Sequence, residues 1–388
     1  MTFVDYIQNG EGHGAIGETL AGCSFDPGML RPYVDRSGKK CVTVNSGRTT
    51  FDDKTGKYTP VYEKRTIADM IANGMPVPVA NATSLRKDEW IQLDQVVLQA
   101  ARQRLRAWTD LASASSFGGF NGMAKTVLEH ETMSDPGEAI VDMDGLTPGR
   151  TDSPKFQLEG LPLPITHSDF WYSSRRLAAS RNTGTPLDMS MGEAAGRRVA
   201  ETIEKTLIGI ETGVTYGNAA DYGRTPQVYG YTNFPARNTK TDVTAPTAGG
   251  WAPTDTTDDV LAMRDLAYAD NFFGPFMLYH SIDWDQYMDD DYSAAGGNNP
   301  NQTLRQRLRS IEDITDVRRL DFLTDTFSLI LVQMTSDVAR AVTGLDVTTV
   351  QWESQGGMRL NFKVMAIMVP QLRADFSGNC GIVHGTTA

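Results

Sequence analysis

Cysteine and histidine are scarce in this chain of 388 residues, which holds three cysteines (Cys23, Cys41, Cys380) and five histidines. An odd cysteine count without metal-ligand spacing argues against a structural metal site, and the thiols are expected to be reduced, as in a cytoplasmic setting. Long apolar runs are absent too. No window approaches the roughly 18–20 uncharged apolar residues that a membrane span needs, so no membrane partner is expected. The opening stretch MTFVDYIQNGEGHG has no basic flank and no apolar run, so no secretory leader is expected there. Basic surplus is missing: the net charge is −12, which argues against a chain whose main task is gripping phosphates and fits plain solubility.

What is present reads as a folded, soluble protein. Apolar residues make up 40% and charged residues 22%, while 36 glycines and 18 prolines imply many turns. A single core rarely grows past about 250–300 residues, so two or more subdomains are expected. There is no internal repeat. The region 1–83 lacks strong periodicity; Asp26-Pro27-Gly28 is a turn signal, and short strands are expected at 41–44 and 57–62 around a turn at 52–56. Met75-Pro76-Val77-Pro78-Val79 reads as extended. So long an irregular segment suits an arm lying on neighbouring subunits, with a loop-rich region packed on its own chain as the alternative.

A helix is expected from Ser84 or Asp88 to about Leu111, with Trp90, Leu93, Val97, Leu105 and Trp108 on one face and no internal Gly or Pro. SASSFGGFNG at 113–122 reads as a flexible hinge. Strands at 126–133 and 156–161, with a polar tip between them, fit a long two-stranded projection. An isolated hairpin is marginal in water, so it should rest on a neighbour.

The most informative stretch is 161–213. Leu161-Pro162-Leu163-Pro164 must be extended, because each proline lacks an N–H and pushes its predecessor from helical geometry. A turn at 181–186 follows, then one long helix, about 187–211. Two starts are open: a Thr185 cap with Pro186 at the first helical position, or a Ser190 cap with Glu193 closing a capping box. Ala195, Val199, Ile203, Leu207 and Ile210 form its apolar row; Arg197, Glu201, Glu204 and Lys205 form its charged face. Gly213 lies just past the expected end, and about 25 residues would span roughly 35–40 Å. Beyond it, 216–251 is loop-rich. Helices are expected at 260–269, 282–291 and 303–311, and strands at 272–279, 317–322 and 328–334, a mixed α/β pattern. The tail 345–384 returns to strands, with a hairpin around Gln355-Gly356-Gly357.

Several constellations could carry chemistry. GEGHGAIG contains GxGxxG at Gly12, Gly14 and Gly17, but neither a preceding strand nor a following helix is evident, so it is not a dinucleotide fingerprint. Asp283, Asp285, Asp289, Asp290 and Asp291 could attract a hard cation, yet they lack the spacing and glycine of a calcium loop and read as a solvated acidic face. His167-Ser168-Asp169 are neighbours on an expected strand and alternate in direction, so they do not form a triad. No catalytic, cofactor-binding or metal-binding residue emerges, and no cofactor is expected.

The run LPLPITHSDFWYSSRRLAASRNTGTPLDMSMGEAAGRRVAETIEK resembles the encapsulin family and, through it, tailed-phage major capsid proteins of the Hong Kong ninety-seven type. The resemblance implies an α+β fold of that capsid type: an amino-terminal arm (1–83), a helix of the peripheral domain (84–112), an extended loop (113–165), a peripheral domain with a long spine helix and a carboxyl-terminal sheet (166–215 and 345–388), and an axial domain (216–344). It implies a non-enzymatic shell subunit forming pentamers and hexamers of an icosahedral phage head around double-stranded DNA. Portal, scaffold and decoration proteins would be its partners, and the virion capsid, assembled in the host cytoplasm, its location. Under it, contacts between subunits are expected at Arg150, Lys155, Phe156, Trp171, Arg175, Arg176, Arg197 and Glu201, and a covalent crosslink between Lys155 and Asn379 is a further option, since some such capsids join a loop lysine to a neighbour's asparagine. A mildly acidic inner wall would let DNA pack and leave. The alternative is an encapsulin nanocompartment around a cargo enzyme; the amino-terminal extension and the large insertion between Gly213 and Gly344 favour the phage head. A soluble α/β enzyme is the third reading.

Overall fold

A computed structural model describes residues 33–387 apart from 36, 38, 53–56, 73–84, 86, 103–104, 135–140, 145–152, 184–188, 212–213, 217–221, 223–224, 291 and 293–301. The glycine-rich 10–17 run, the extended 75–79 stretch, Arg150 and Gly213 therefore lie outside the described residues.

The first elements are strands β1 (Tyr33–Val34), β2 (Lys40–Asp52) and β3 (Lys57–Thr66), an antiparallel sheet followed by helix α1 (Ile67–Ala72). The strands are longer than the short runs expected. The helix anticipated to run unbroken to Leu111 is two helices, α2 (Lys87–Arg102) and α3 (Arg106–Ala114). Leu105, at φ −83° and ψ 71°, breaks the helical path, and the first amides of α3 find their acceptor on another helix.

The expected hinge at 113–122 is instead part of a sheet. Strand β4 (Ser116–Phe117) runs parallel to β12 (Ala339–Ser354), and the Gly122 N–H donates to the Gly344 carbonyl at 3.2 Å. After the projecting pair β5 (Val127–Met133) and β6 (Phe156–Pro162) comes β7 (Thr166–Ser173). It is followed by α4 (Ser174–Thr183), a helix where only a continued strand and turn were expected.

The spine helix α5 covers Ser190–Ile208, 19 residues or roughly 28 Å. Ser190 is its first helical residue and Met189 its cap, so the Ser190 cap does not hold, while Thr185 and Pro186 lie outside the described residues. Its end comes five residues before Gly213. Gly209, at φ +102°, makes the left-handed exit that favours glycine. Its last carbonyls, on Leu207 and Ile208, accept from the Tyr231 and Thr232 amides at 2.9 and 2.8 Å. Ile210 consequently leaves the apolar row and is exposed.

Strand β13 (Arg359–Leu372) pairs with β12 on one side and β7 on the other, giving a sheet ordered β4-β12-β13-β7. The β12–β13 reversal uses Gln355, Gly356 and Gly357 at positive φ, the turn expected there. Ala195, Val199, Ile203 and Leu207 of α5 are buried in one core with Phe170, Tyr172, Leu360, Phe362 and Val364 of this sheet. The expected packing of spine on sheet holds.

A second sheet, β10-β9-β11-β14-β8, contains β8 (Asn238–Val243), β9 (Phe276–His280), β10 (Ile314–Arg319), β11 (Leu329–Gln333) and β14 (Ile382–Thr387). Helix α6 (Pro253–Ala269) and the short helices α7 (Asp285–Met288) and α8 (Leu304–Arg309) surround it. α6 starts seven residues earlier than expected, with Pro253 in its first turn and the Asp255 carboxylate accepting the Ala252 N–H at 2.9 Å. α8 begins with a reciprocal capping box between Thr303 and Gln306. One assignment changes here. The terminal strand β14 does not complete the sheet under the spine; it lies between β11 and β8 in the second sheet. A strand as polar as β8 (NTKTDV) was not recognisable, since its place depends on β14 arriving beside it.

Candidate functional site

Three features combine geometry and chemistry: the projecting hairpin, a partly open sheet face and a buried polar seam.

The hairpin is regular. β5 and β6 pair from Val127 opposite Pro162 to Met133 opposite Phe156, and Ser134 and Lys155 extend the pairing through two bonds of 2.9 and 3.0 Å. Its root is fastened: Leu161 and Leu163 are buried, His130 Nε2 stands 3.3 Å from the Glu159 carboxylate, and the Tyr222 hydroxyl donates to Glu129 at 3.0 Å. Its outer end is uncovered. Phe156 is 62% exposed beside exposed Met133 and Lys155, and Val141 and Met143 beyond them are exposed as well.

The four-stranded sheet has two different faces. Phe170 stacks on Phe362 at 5.1 Å beneath the helices. On the other face, the hairpin root covers Met365, Ile367 and Val369. The remainder is only partly open, since Asn361 at its middle is buried. Trp171, Asn361 and Trp352 lie opposite one another across β7, β13 and β12. The Arg359 guanidinium sits 4.5 Å over the Trp171 ring and the Lys363 ammonium 5.8 Å over the Trp352 ring, a cation–π arrangement. Trp171 is 53% exposed. β7 is an edge strand whose outer side pairs with no other strand among the described residues.

Most of the sequence-predicted contact residues are exposed, but on different faces. Trp171 opens onto this face, and Arg175 and Arg176 begin the helix that follows. Arg197 and Glu201 pair at 3.8 Å on the helical side. His167 and Asp169 do meet, at 3.2 Å on the exposed face; Ser168, between them on the strand, points the other way. Asn379 is engaged within its own turn: its amide donates to Asp375 at 2.9 Å. The acidic run near 283–291 is not simply solvated. Asp285 accepts from Arg305 at 2.9 Å and Arg319 at 2.7 Å, and Asp289 lies 3.0 Å from Arg305. Against the opposing effect of burial, Arg319 and Arg305 hold the Asp285 carboxyl below its ordinary value.

The buried seam escaped sequence reasoning. Glu204 was placed on the charged face of the spine, yet it is 2% exposed. Its carboxylate accepts the amides of Ala107 at 2.6 Å and Trp108 at 3.2 Å, the orphan donors that open α3. Burial raises its pKa to about 7, against the pull of those amides. Asp110, one turn on, binds Arg318 and accepts from Tyr279 at 3.2 Å; burial nevertheless pushes its carboxyl up. Tyr231 stacks on Tyr279 at 6.2 Å, and its hydroxyl is buried with no hydrogen-bond partner among the described residues. Spine, α3 and second sheet thus meet at a cluster of two carboxylates and two phenols. A signal existed: Gly192, Gly196, Ala200, Glu204 and Ile208 form a second buried row at intervals of four. The row is small because a neighbour is close: a Cβ at Gly196 would stand 2.8 Å from the Val97 carbonyl of α2.

A family model described as a family of unknown function (DUF6260) matches residues 80–385. None of the curated proteins matches. Among solved structures, the chain is similar to a virus-like particle from Pyrococcus furiosus at 15% identity and a TM-score of 0.50, covering 75% of this chain and 97% of that one. It is similar to a chain of Mycobacterium phage Bobi at 11% identity and a TM-score of 0.50, covering 71% and 90%. The capsid of Myoviridae phage XM1 follows at 10% identity and 0.49, covering 71% and 90%. The fold is the α+β shell fold of the Hong Kong ninety-seven type, as the spine stretch implied.

Proposed function

The chain belongs to this family of unknown function, and we propose that it serves as the major structural subunit of an icosahedral phage head enclosing double-stranded DNA. The observation that carries the proposal is the pairing of a shell fold with two exposed features: a projecting hairpin with an exposed apolar end, and the Trp171 face beside a strand edge that pairs with no other strand among the described residues. A projection of this kind is marginal unless something covers it. A neighbouring subunit would supply that cover, with Lys155 and Phe156 on one side and Trp171, Arg175 and Arg176 on the other. Arg197 and Glu201 would meet a neighbour or the shell lumen. Many modest contacts then sum over a closed, symmetric shell. Portal, scaffold and decoration proteins would complete the particle, assembled in the host cytoplasm. The proposal gives no residue a catalytic role.

A second reading, a nanocompartment shell around a cargo enzyme, is supported by the 97% coverage of the Pyrococcus virus-like particle. Electron microscopy of the purified protein separates the readings. Shells containing DNA support the phage head; shells containing one enzyme support the nanocompartment. Monodisperse monomers or dimers under assembly conditions defeat both.

A further inference from the structure

We propose that the cleft between α3 and the edge strand β10 binds a small molecule carrying a phosphate group, through arginine N–H donors that the chain's own aspartates leave unused. The cleft encloses about 680 Å³, inside the roughly 300–1,000 Å³ range of small-molecule sites. It lies within one subunit, so binding there needs no neighbour and does not depend on the shell reading.

Three elements bring five arginines to this cleft. α3 supplies Arg106 at its start, α8 supplies Arg305 and Arg309, and β10 supplies Arg318 and Arg319. Successive residues of a strand point to opposite faces. Arg318 accordingly meets Asp110 of α3 on one face of the second sheet, and Arg319 meets Asp285 of α7 on the other. Both line one cleft because β10 is the edge strand, around which the cleft wraps. Arg305 and Arg319 are 20% and 32% exposed, which sets them deeper than the half-exposed Arg106, Arg309 and Arg318.

Aspartates balance these charges, so net charge is not what would attract a ligand. Hydrogen-bonding capacity is. A carboxylate only accepts, and a guanidinium only donates, with about five N–H groups each. Asp285 accepts from Arg305 at 2.9 Å on one oxygen and from Arg319 at 2.7 Å on the other. Asp316 accepts from Arg318 at 2.8 Å on one oxygen and from the Val317 amide at 2.8 Å on the other, where Arg309 also stands 2.7 Å away. Asp321 accepts from Arg319 at 2.8 Å and lies 3.6 Å from Arg106. Asp110 accepts from both Arg318 and the Tyr279 hydroxyl. Asp289 stands 3.0 Å from Arg305 Nε but off its N–H direction, so this buried donor has no hydrogen bond. The acceptors are engaged, and donors are left over. The matching ligand is rich in acceptors and anionic, and a phosphate group presents its oxygens to several guanidinium groups at once. Nucleic acid is the less suited source of that phosphate, because a polymer needs a basic track leading to and from the site, and this chain carries a net charge of −12.

The test is titration calorimetry of the full chain with sodium pyrophosphate, against sodium chloride of matched ionic strength. Wild type is compared with Arg106→Gln, with Arg106→Gln/Arg309→Gln and with Lys125→Gln, an exposed position outside the cleft. Arg106 and Arg309 are chosen because Asp321 and Asp316 each keep a second arginine without them. Wild type and Lys125→Gln should bind pyrophosphate alike, and each arginine removed from the cleft should weaken binding about tenfold. Should the double variant melt early, Arg106→Gln alone carries the comparison. No binding beyond the chloride control overturns the proposal, as does equal affinity in wild type and the cleft variants; the arginines and aspartates then serve only to join α3 to the second sheet. Binding of a short single-stranded DNA without binding of pyrophosphate overturns it in favour of a nucleic-acid contact. Each result is read on the chain whether or not particles form, so the shell reading stands or falls separately.

Discussion

Glu204→Gln tests the buried seam most directly. In the fold the Glu204 carboxyl has a pKa of about 7, against an ordinary value of 4.5, because burial disfavours its charge. A raised carboxyl pKa means that the folded state binds the proton more tightly than the unfolded chain. The associated stability is fully present below about pH 4.5 and is lost as pH rises through 7. Each pH unit is worth about 1.4 kcal/mol, so a window of about 2.5 units corresponds to roughly 3 kcal/mol. Glutamine keeps the shape and an acceptor oxygen but does not titrate. Denaturant unfolding of the unassembled subunit should therefore show the two proteins differing near pH 4.5 by a constant of about 1–3 kcal/mol, because the glutamine NH2 cannot accept from one of the two amides that the carboxylate serves. The difference should then move by roughly 3 kcal/mol in the variant's favour by pH 8. Asp110 and Tyr279 stay in place in both proteins, but Asp110 repels the Glu204 charge, so the difference reports the buried carboxyls together rather than Glu204 alone. Parallel stability curves from pH 4.5 to 8 would refute the reasoning, because they would mean that Glu204 titrates alike in both states.

Three further outcomes follow from the same geometry. Gly196→Ala should cost about 1–3 kcal/mol in subunit stability despite alanine's better helix propensity, since the added Cβ meets the Val97 carbonyl at 2.8 Å; a neutral or stabilising effect in thermal melts would mean that the two helices separate freely. Phe156→Ala and Trp171→Ala should leave the isolated subunit within about 0.5 kcal/mol of wild type while raising the critical assembly concentration about tenfold, as light scattering can measure. Denaturing electrophoresis of assembled particles should give only monomer bands, because Asn379 is held by Asp375 within its own turn; a ladder of higher bands would show a covalent link.

How far the sequence reached depended on what each signal reports. Alternation and turn chemistry are local, so the projecting strands were legible at close to their true bounds and the β12–β13 turn at its place, although β12 begins six residues before the strand-rich tail expected from 345. The spine helix was legible from Ala195, Val199, Ile203 and Leu207. Its ends were not, because the closing carbonyls are satisfied by a loop 24 residues away. Most of the contact residues named from the resemblance are exposed where they are described, with Glu201 half-buried, but nothing in the sequence could sort Trp171 onto one face and Arg197 onto the other.

By itself, then, the sequence determined an acidic α+β chain without a long apolar run, built around a proline-marked strand and a long amphipathic helix. Proline geometry, period and turn residues act within a few positions and need no partner. Tertiary structure alone decided three things. It sent β14 to the second sheet, it drew β4 out of an expected hinge into the first, and it buried Glu204. In each case the deciding partner lies far along the chain. A strand joins whichever open edge the fold presents, and a carboxylate stays buried only where another helix turns its unpaired amides toward it.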